Sequence, residues 1–336
     1  MGNLMAYSGI VTKIRAMERQ RLRENQFQEM AALESVPEAV AYLRKNPAYE
    51  RIFEGLSQEE LHRGRIEQLL HMALYQDFAR IYRFANLSQR RMLDLYFRRY
   101  ELSIIKGCLR AVAGGKEEGT DLSEFQEFFE QHSRMDLTRL SQCASIGQWV
   151  GCLKGSPYYG PLEELSRKGE LNPTDCETVL DMTYFKEAWR IKKRYLKKEE
   201  QQIIAQCFGT RMDMLNIQWI YRAKKYYGLS GAQIIAVLIP IRLHLTKNQV
   251  TRMAQAESLE GFFDILKTTY YGRIDGEERP DLKKLAAEIN DRVYEMTRRS
   301  NPYSIAALNS YLYFKEKEIR RITTTLERIR YGVAAG

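Results

Sequence analysis

The stretch most suggestive of chemistry is SIGQWVGCLKGSPYYG, residues 145 to 160, where four glycines surround a lysine, a serine and a proline. Glycines beside a lysine and a hydroxyl are the ingredients of a phosphate-cradling loop, whose pattern is G-x-x-x-x-G-K-[ST] between a strand and a helix. Here Lys154 precedes Gly155 instead of following it, and no strand pattern leads in. The histidines, His62, His71, His132 and His244, lack zinc-ligand spacing. Gly228-Leu229-Ser230-Gly231 stops one residue short of a G-x-S-x-G nucleophile elbow. The five cysteines, at 108, 143, 152, 176 and 207, form no C-x-x-C pair and are odd in number, which fits free thiols in a reducing compartment. No catalytic constellation emerges, and neither a cofactor nor a metal site is expected.

Charge narrows the partners. A formal net charge of +9 favours an acidic protein, a nucleic acid or an anionic membrane surface. Arg80, Arg83, Arg90, Arg91, Arg98 and Arg99 interleave with Tyr82, Phe84 and Tyr96, yet no recognisable nucleic-acid motif accompanies them. The basic run WRIKKRYLKK, residues 189 to 198, meets Glu199 and Glu200 at once and reads as a solvated helix face. The longest apolar run, IIAVLIPI at 234 to 241, contains Pro240, is too short to span a bilayer and reads as a buried segment. MGNLMA has Ala6 where a myristoylation signal needs a hydroxyl, and no signal-peptide pattern follows. The expectation is a soluble intracellular chain.

Strand patterns are nearly absent and helical periodicity runs throughout, so the fold class is all-α. The clearest helix is predicted from about 304 to 331. Leu312, Ile319, Ile322, Leu326, Ile329 and Val333 form its apolar seam, and Lys315 interrupts it. Ser304 is placed to cap its start and Gly332 to end it.

The glycine-rich stretch has relatives within the chain. SIGQWVGCLKGSPYY parallels SVPEAVAYLRKNPAY from Ser35 and SLEGFFDILKTTYY from Ser258. Each serine is followed eight residues later by a leucine (Leu43, Leu153, Leu266), then by a basic residue (Arg44, Lys154, Lys267), and each segment ends on an aromatic (Tyr49, Tyr159, Tyr271). Ser35 with Glu38 and Ser145 with Gln148 read as capping boxes, in which each side chain satisfies a free backbone N–H of the other. Gly261 stands at that position in the third copy, which predicts a weaker cap. Two later markers recur in order. The first is an apolar segment around Leu70, Leu180 and Ile289. The second is an acid before a pair ending in isoleucine: Glu101-x-x-Ile104-Ile105, Asp213-x-x-Asn216-Ile217 and Glu318-x-x-Arg321-Ile322. Three markers in fixed order imply a triplicated unit with a period too long for tetratricopeptide or ankyrin arrays. The expected division is 1–115, 116–230 and 231–336, three similar helical subdomains about a pseudo-threefold axis.

The acids of the last marker are the candidate partner-interface residues. Glu101 and Arg110, and Asp213 and Arg222, are spaced alike along their helices; the third copy, with Glu318 and Arg321, breaks the spacing, since Glu327 stands at the arginine's distance and Arg328 comes next. These residues either tie neighbouring helices together inside each subdomain or line a polar surface that meets a partner. The residues also leave open a helical-repeat scaffold or basic nucleic-acid-binding protein as the alternative reading, with an enzyme third.

Several segments resemble a known family. AVLIPIRLHLT at 236 to 246, SLEGFFDILKTTYYG at 258 to 272, NPYSIAALNSYLYFKEKEIRRITTTLERIRYG at 301 to 332 and MDMLNIQWIYRAKKYYGLS at 212 to 230 are similar to a V-type/A-type rotary ATPase family whose members are termed C in prokaryotic complexes and d in vacuolar ones. The resemblance spans essentially the whole chain and is densest after residue 175. Two departures stand out: Ile241 and Arg242 where the family often has glycines, and Arg321 where it often has asparagine. The resemblance implies a funnel of three helical subdomains with no active site of its own. It further implies a central-stalk (rotor) subunit, monomeric within a larger complex, whose partners are the central-shaft subunits and the membrane proteolipid ring, with no nucleic acid. Such a subunit would lie peripherally at the cytoplasmic face of the membrane and couple ATP turnover to proton or sodium transport.

Overall fold

The computed structural model describes residues 2–57, 59–115, 125–133, 135–277 and 279–332. Among these residues there are seventeen α-helices and no strand, which is the all-α class that the periodicity predicts. In chain order they open with α1 (Gly2–Glu18), the short α2 (Glu24–Ala31) and α3 (Val36–Arg44), and the long α4 (Arg63–Phe84) and α5 (Leu87–Ala113). A second run of short helices follows, α6 (Gln126–His132), α7 (Leu137–Ser141), α8 (Ile146–Cys152) and α9 (Tyr159–Lys168), and then the long α10 (Pro173–Tyr195) and α11 (Lys198–Arg222). The third run comprises α12 (Gly231–Ala236), α13 (Lys247–Gln255), α14 (Leu259–Lys267) and α15 (Tyr270–Asp275), followed by α16 (Leu282–Ser300) and α17 (Ile305–Arg330). Several short helices and then two long ones thus occur three times.

The chain forms two compact units, Met1–Arg90 with Asn301–Gly336, and Arg91–Ser300. In the first, α17 packs on α1, α2, α3 and α4. Its seam residues Leu312, Ile319, Ile322 and Leu326 are buried, and they face an α4 stripe that includes Leu70, Leu74, Phe78 and Ile81. Val333 lies outside the described residues. The predicted termini of this helix are both found: the Ser304 hydroxyl accepts from the Ala306 amide at 3.1 Å, and Gly332 adopts φ +61°.

In the second unit α11 packs along α16. The resulting core joins Met214, Ile217 and Ile220 to Phe262, Leu266, Leu282 and Ile289. Helix α11 is buried around much of its circumference, as expected of a helix sunk in a core and not lying on a surface. Leu238 and Ile239 of the apolar run at 234 to 241 are buried, whereas Pro240 is exposed. Trp149 of α8 is fully buried, and its indole N–H donates to the Ile105 carbonyl of α5 at 3.2 Å.

The three serine-led segments are three N-capped helices. Ser35, Ser145 and Ser258 accept from the amides of Glu38, Gln148 and Gly261 at 3.4, 3.2 and 3.0 Å. The return half of each predicted capping box falls one residue early. Glu38 accepts from the Glu34 amide and Gln148 from the Ala144 amide, because the extended backbone at Ser35 and Ser145 turns the preceding N–H toward the side chain. Beyond α8, Gly155 makes its turn at φ +87°, a left-handed conformation that a residue with a Cβ resists. The Ser156 hydroxyl is engaged locally by the Tyr158 amide. Glycine and serine in this stretch are turn chemistry.

Candidate functional site

The polar residues that recur with the repeat gather into three buried nodes. Glu101, Asp213 and Glu318 are 7%, 0% and 3% exposed, so each carboxylate needs partners from the protein itself. Each sits on a long helix and reaches the segment that leads into a short one.

Asp213 of α11 is held without a cation. It accepts from the backbone amides of Leu243, His244 and Leu245 at 3.2, 2.8 and 3.3 Å, and from the Tyr271 hydroxyl at 2.8 Å. One turn on, Asn216 clamps the same segment, donating to the Ile239 carbonyl at 3.0 Å and accepting from its amide at 2.9 Å. One turn back stands Gly209, where a Cβ would lie 2.9 Å from Leu243 Cβ. A single face of α11, Gly209-Asp213-Asn216, is therefore cut to hold residues 239 to 245 as irregular backbone, with the amides of Ile239, Leu243, His244 and Leu245 satisfied. Burial pushes the Asp213 carboxyl up, while the amides and the Tyr271 hydroxyl pull it back. The Tyr271 hydroxyl is pushed up by burial and by the Asp213 charge.

Glu318 of α17 is held by charge. It accepts from Arg21 Nε at 3.0 Å, the Leu22 amide at 3.0 Å and the Tyr49 hydroxyl at 2.9 Å. Lys315, one turn earlier and 1% exposed, donates to the Tyr49 oxygen at 2.9 Å and lies 3.7 Å from Asp77 Oδ2. Asp77 of α4 accepts in turn from the Tyr311 hydroxyl at 2.6 Å and from Arg80 at 3.3 Å. Burial and then the Glu318 charge drive the Tyr49 hydroxyl well above the ordinary tyrosine range.

Glu101 of α5 has the thinnest set. It accepts from the Ser133 hydroxyl, which in turn accepts from the Met135 amide at 3.0 Å. Burial pushes its carboxyl up, and the Ser133 hydrogen bond and Arg98 oppose that. The buried tyrosine near this carboxylate is Tyr158, whose hydroxyl is raised by burial and then by the Glu101 charge. Tyr159, which closes the segment in the sequence alignment of the repeats, instead turns outward and donates to Glu163 at 3.0 Å.

The six residues singled out by sequence thus separate by burial. The three acids are buried, Glu101 and Asp213 in one unit and Glu318 in the other. Arg110 is exposed and donates to Glu177 at 2.8 Å, and Arg222 is exposed. Arg321, whose side chain is 43% exposed, makes a two-pronged ion pair with Glu24 at 2.6 and 2.5 Å. In the sequence marker it stands where Asn216 stands; Asn216 reaches Ile239 by its amide and Arg321 reaches Glu24 by its guanidinium. Sequence reasoning did not assign Lys315, Asp77, Tyr311 or Arg21 to a site. The available signal was a lysine and an aspartate sitting on otherwise apolar stripes of α17 and α4.

The nodes follow an order. Glu101 reaches Ser133, Asp213 reaches 243 to 245 and Tyr271, and Glu318 reaches Leu22 and Tyr49. Glu101 thus reaches the segment before α7, Asp213 the segment before α13, and the last acid, Glu318, the segment before α2 among the first helices.

Among the described residues no group of three or more His, Cys, Asp or Glu side chains could hold a metal ion, and no helix is long and apolar enough to cross a membrane.

The family model described as ATP synthase (C/AC39) subunit matches residues 10–335. The chain is 23% identical over 334 residues to the A-type ATP synthase C-subunit of Thermococcus kodakarensis, covering 97% of this chain and 87% of that one. It is 24% identical to the C-subunit of a Desulfurococcus species, covering 97% and 88%, and 24% identical to that of Methanothermobacter thermautotrophicus, covering 92% and 80%.

Proposed function

This chain belongs to the ATP synthase (C/AC39) subunit family, and from that premise we propose that it is a non-catalytic central-stalk subunit of an A/V-type rotary ATPase. It acts as a socket: one end receives the central shaft, the other caps the proteolipid ring at the cytoplasmic face of the membrane, and torque passes through. The observation that carries this reading is the end-to-end family match over residues 10–335.

The nodes supply a physical rationale. A torque-bearing body has to resist shear between its helices, and packed interiors have low compressibility. Buried hydrogen-bonded carboxylates add directional ties between a long helix and the segment beside it. The cyclic order of the three nodes is what three similar helical units, 1–115, 116–230 and 231–336, closing around a funnel would require. Of the six candidate residues, Arg110, Arg222 and Arg321 are the exposed cations that a partner could reach, while Glu101, Asp213 and Glu318 act by holding the wall behind them. The net charge of +9 suits anionic headgroups around a ring.

The purified chain is expected to bind both the isolated shaft subunits and the detergent-solubilised ring at low salt, and to show no ATPase activity alone. Binding to neither, or salt-sensitive retardation of DNA or RNA in their place, would sink the assignment. ATPase activity abolished by Lys154→Ala would overturn the non-catalytic role.

A further inference from the structure

Two of the five cysteines meet in space. Cys143, in the turn after α7, and Cys152, the last residue of α8, are nine residues apart in sequence, and their sulfurs lie 3.4 Å apart. Both are half-buried, whereas Cys108, Cys176 and Cys207 are buried. We propose that Cys143 and Cys152 form a reversible oxidation site, a dithiol that low-molecular-weight disulfides convert to an intramolecular disulfide, stapling the α7–α8 hairpin.

The position gives the staple a purpose. Ser133 and Met135 precede α7, and Tyr158 follows α8, so the hairpin carries both edges of the Glu101 node. It also carries Trp149, which anchors it to α5 through the Ile105 carbonyl. Glu101 is held by the Ser133 hydroxyl with Arg98 nearby, where Glu318 has an arginine, an amide and a tyrosine and Asp213 has three amides and a tyrosine. The Glu101 node is the place where a covalent tie adds most.

The chemistry balances without a metal or enzyme. Burial, helped by the Cys152 hydrogen bond and the proximity of Cys108, pushes the Cys143 thiol up to about 12. One of the two sulfurs, as its thiolate, displaces one thiolate from the small disulfide and forms a mixed disulfide. The other thiol then loses its proton and attacks that sulfur, expelling the second small thiolate. The protein gives up two protons and two electrons, and the small disulfide takes them up as two thiols. A dithiol reductant reverses both steps.

The test treats the full-length native chain with oxidised glutathione, unfolds it, alkylates the remaining thiols and maps the peptides without reduction. The expected product joins the Cys143 and Cys152 peptides, leaves Cys108, Cys176 and Cys207 alkylated, and reverts with dithiothreitol. Amide hydrogen exchange across residues 137 to 158 should slow on oxidation and recover on reduction. Cys143→Ser and Cys152→Ser should each keep the native helicity and stop at a single glutathione adduct, while Cys108→Ser should still form the link. A link involving Cys108, separate adducts on Cys143 and Cys152 in the wild-type chain, or no product at these two residues would each overturn the proposal.

Discussion

The Glu318 and Asp213 nodes occupy equivalent places in the repeat, yet each keeps its buried carboxylate by different means. Around Glu318 charged groups join the Leu22 amide and the Tyr49 hydroxyl: Arg21 directly, and Lys315 through Tyr49, with Asp77 across from the lysine. Around Asp213 the partners are neutral: three consecutive backbone amides and one tyrosine. A buried ion pair recovers its desolvation cost only with good geometry, and it fails badly when one member is lost. A carboxylate cradled by amides depends on the path of the backbone instead. One node is therefore vulnerable to changes of charge, the other to changes of shape.

The largest effect is expected at Lys315. Lys315→Met keeps the stem and removes the charge, leaving Asp77 and Glu318 without their shared cation, and should cost about 3–5 kcal/mol in denaturant unfolding. Adding Glu318→Gln should cost less than the two single changes summed. Strict additivity would show that the node is not a charge network and would erase the contrast.

Asp213→Asn should cost about 2–3 kcal/mol, since one oxygen is replaced by a donor that faces amide donors. It should also change the pH dependence. The native Asp213 carboxyl is raised, so between about pH 4, the unfolded value, and its higher native value the folded chain binds the extra proton. Its contribution to stability therefore falls as pH rises through that window. Unfolding free energies measured across the window should lose this downward component in Asp213→Asn and keep it in Lys315→Met.

Gly209→Ala tests shape alone. The new Cβ would press Leu243 away from α11, at a cost of about 2 kcal/mol, with enhanced amide exchange at residues 243 to 245. Smallest is Ser145→Ala, expected to cost about 1 kcal/mol by removing an N-cap, with melting temperature as the readout.

The helical class, the span of α17 and the three serine caps were legible because they rest on local patterns: periodicity, cap residues and turn glycines. The node acids were legible for a different reason, namely that the repeat marks them three times. Their partners were not. Tyr158 and Tyr159 are indistinguishable in sequence, and only burial tells which enters the core. Lys315 looked like an interruption of an apolar seam because its partners, Tyr49 and Asp77, stand more than two hundred residues away. Periodicity within one helix carries no information about such partners. Cys143 and Cys152 likewise looked like two of an odd set of free thiols until the α7–α8 turn brought their sulfurs together.

The pairing of α17 with the opening helices has a consequence for biogenesis. The Glu318 carboxylate that satisfies Arg21 emerges 297 residues later in synthesis. At the usual elongation rates of about 5–20 residues per second, that is a wait of roughly 15–60 s. During it, α1 to α4 expose the apolar stripes that α17 will cover, while residues 91 to 300 can complete their own core. The nascent α1 to α4 segment is thus the part of this chain most in need of a chaperone, and α17 is the helix that releases it.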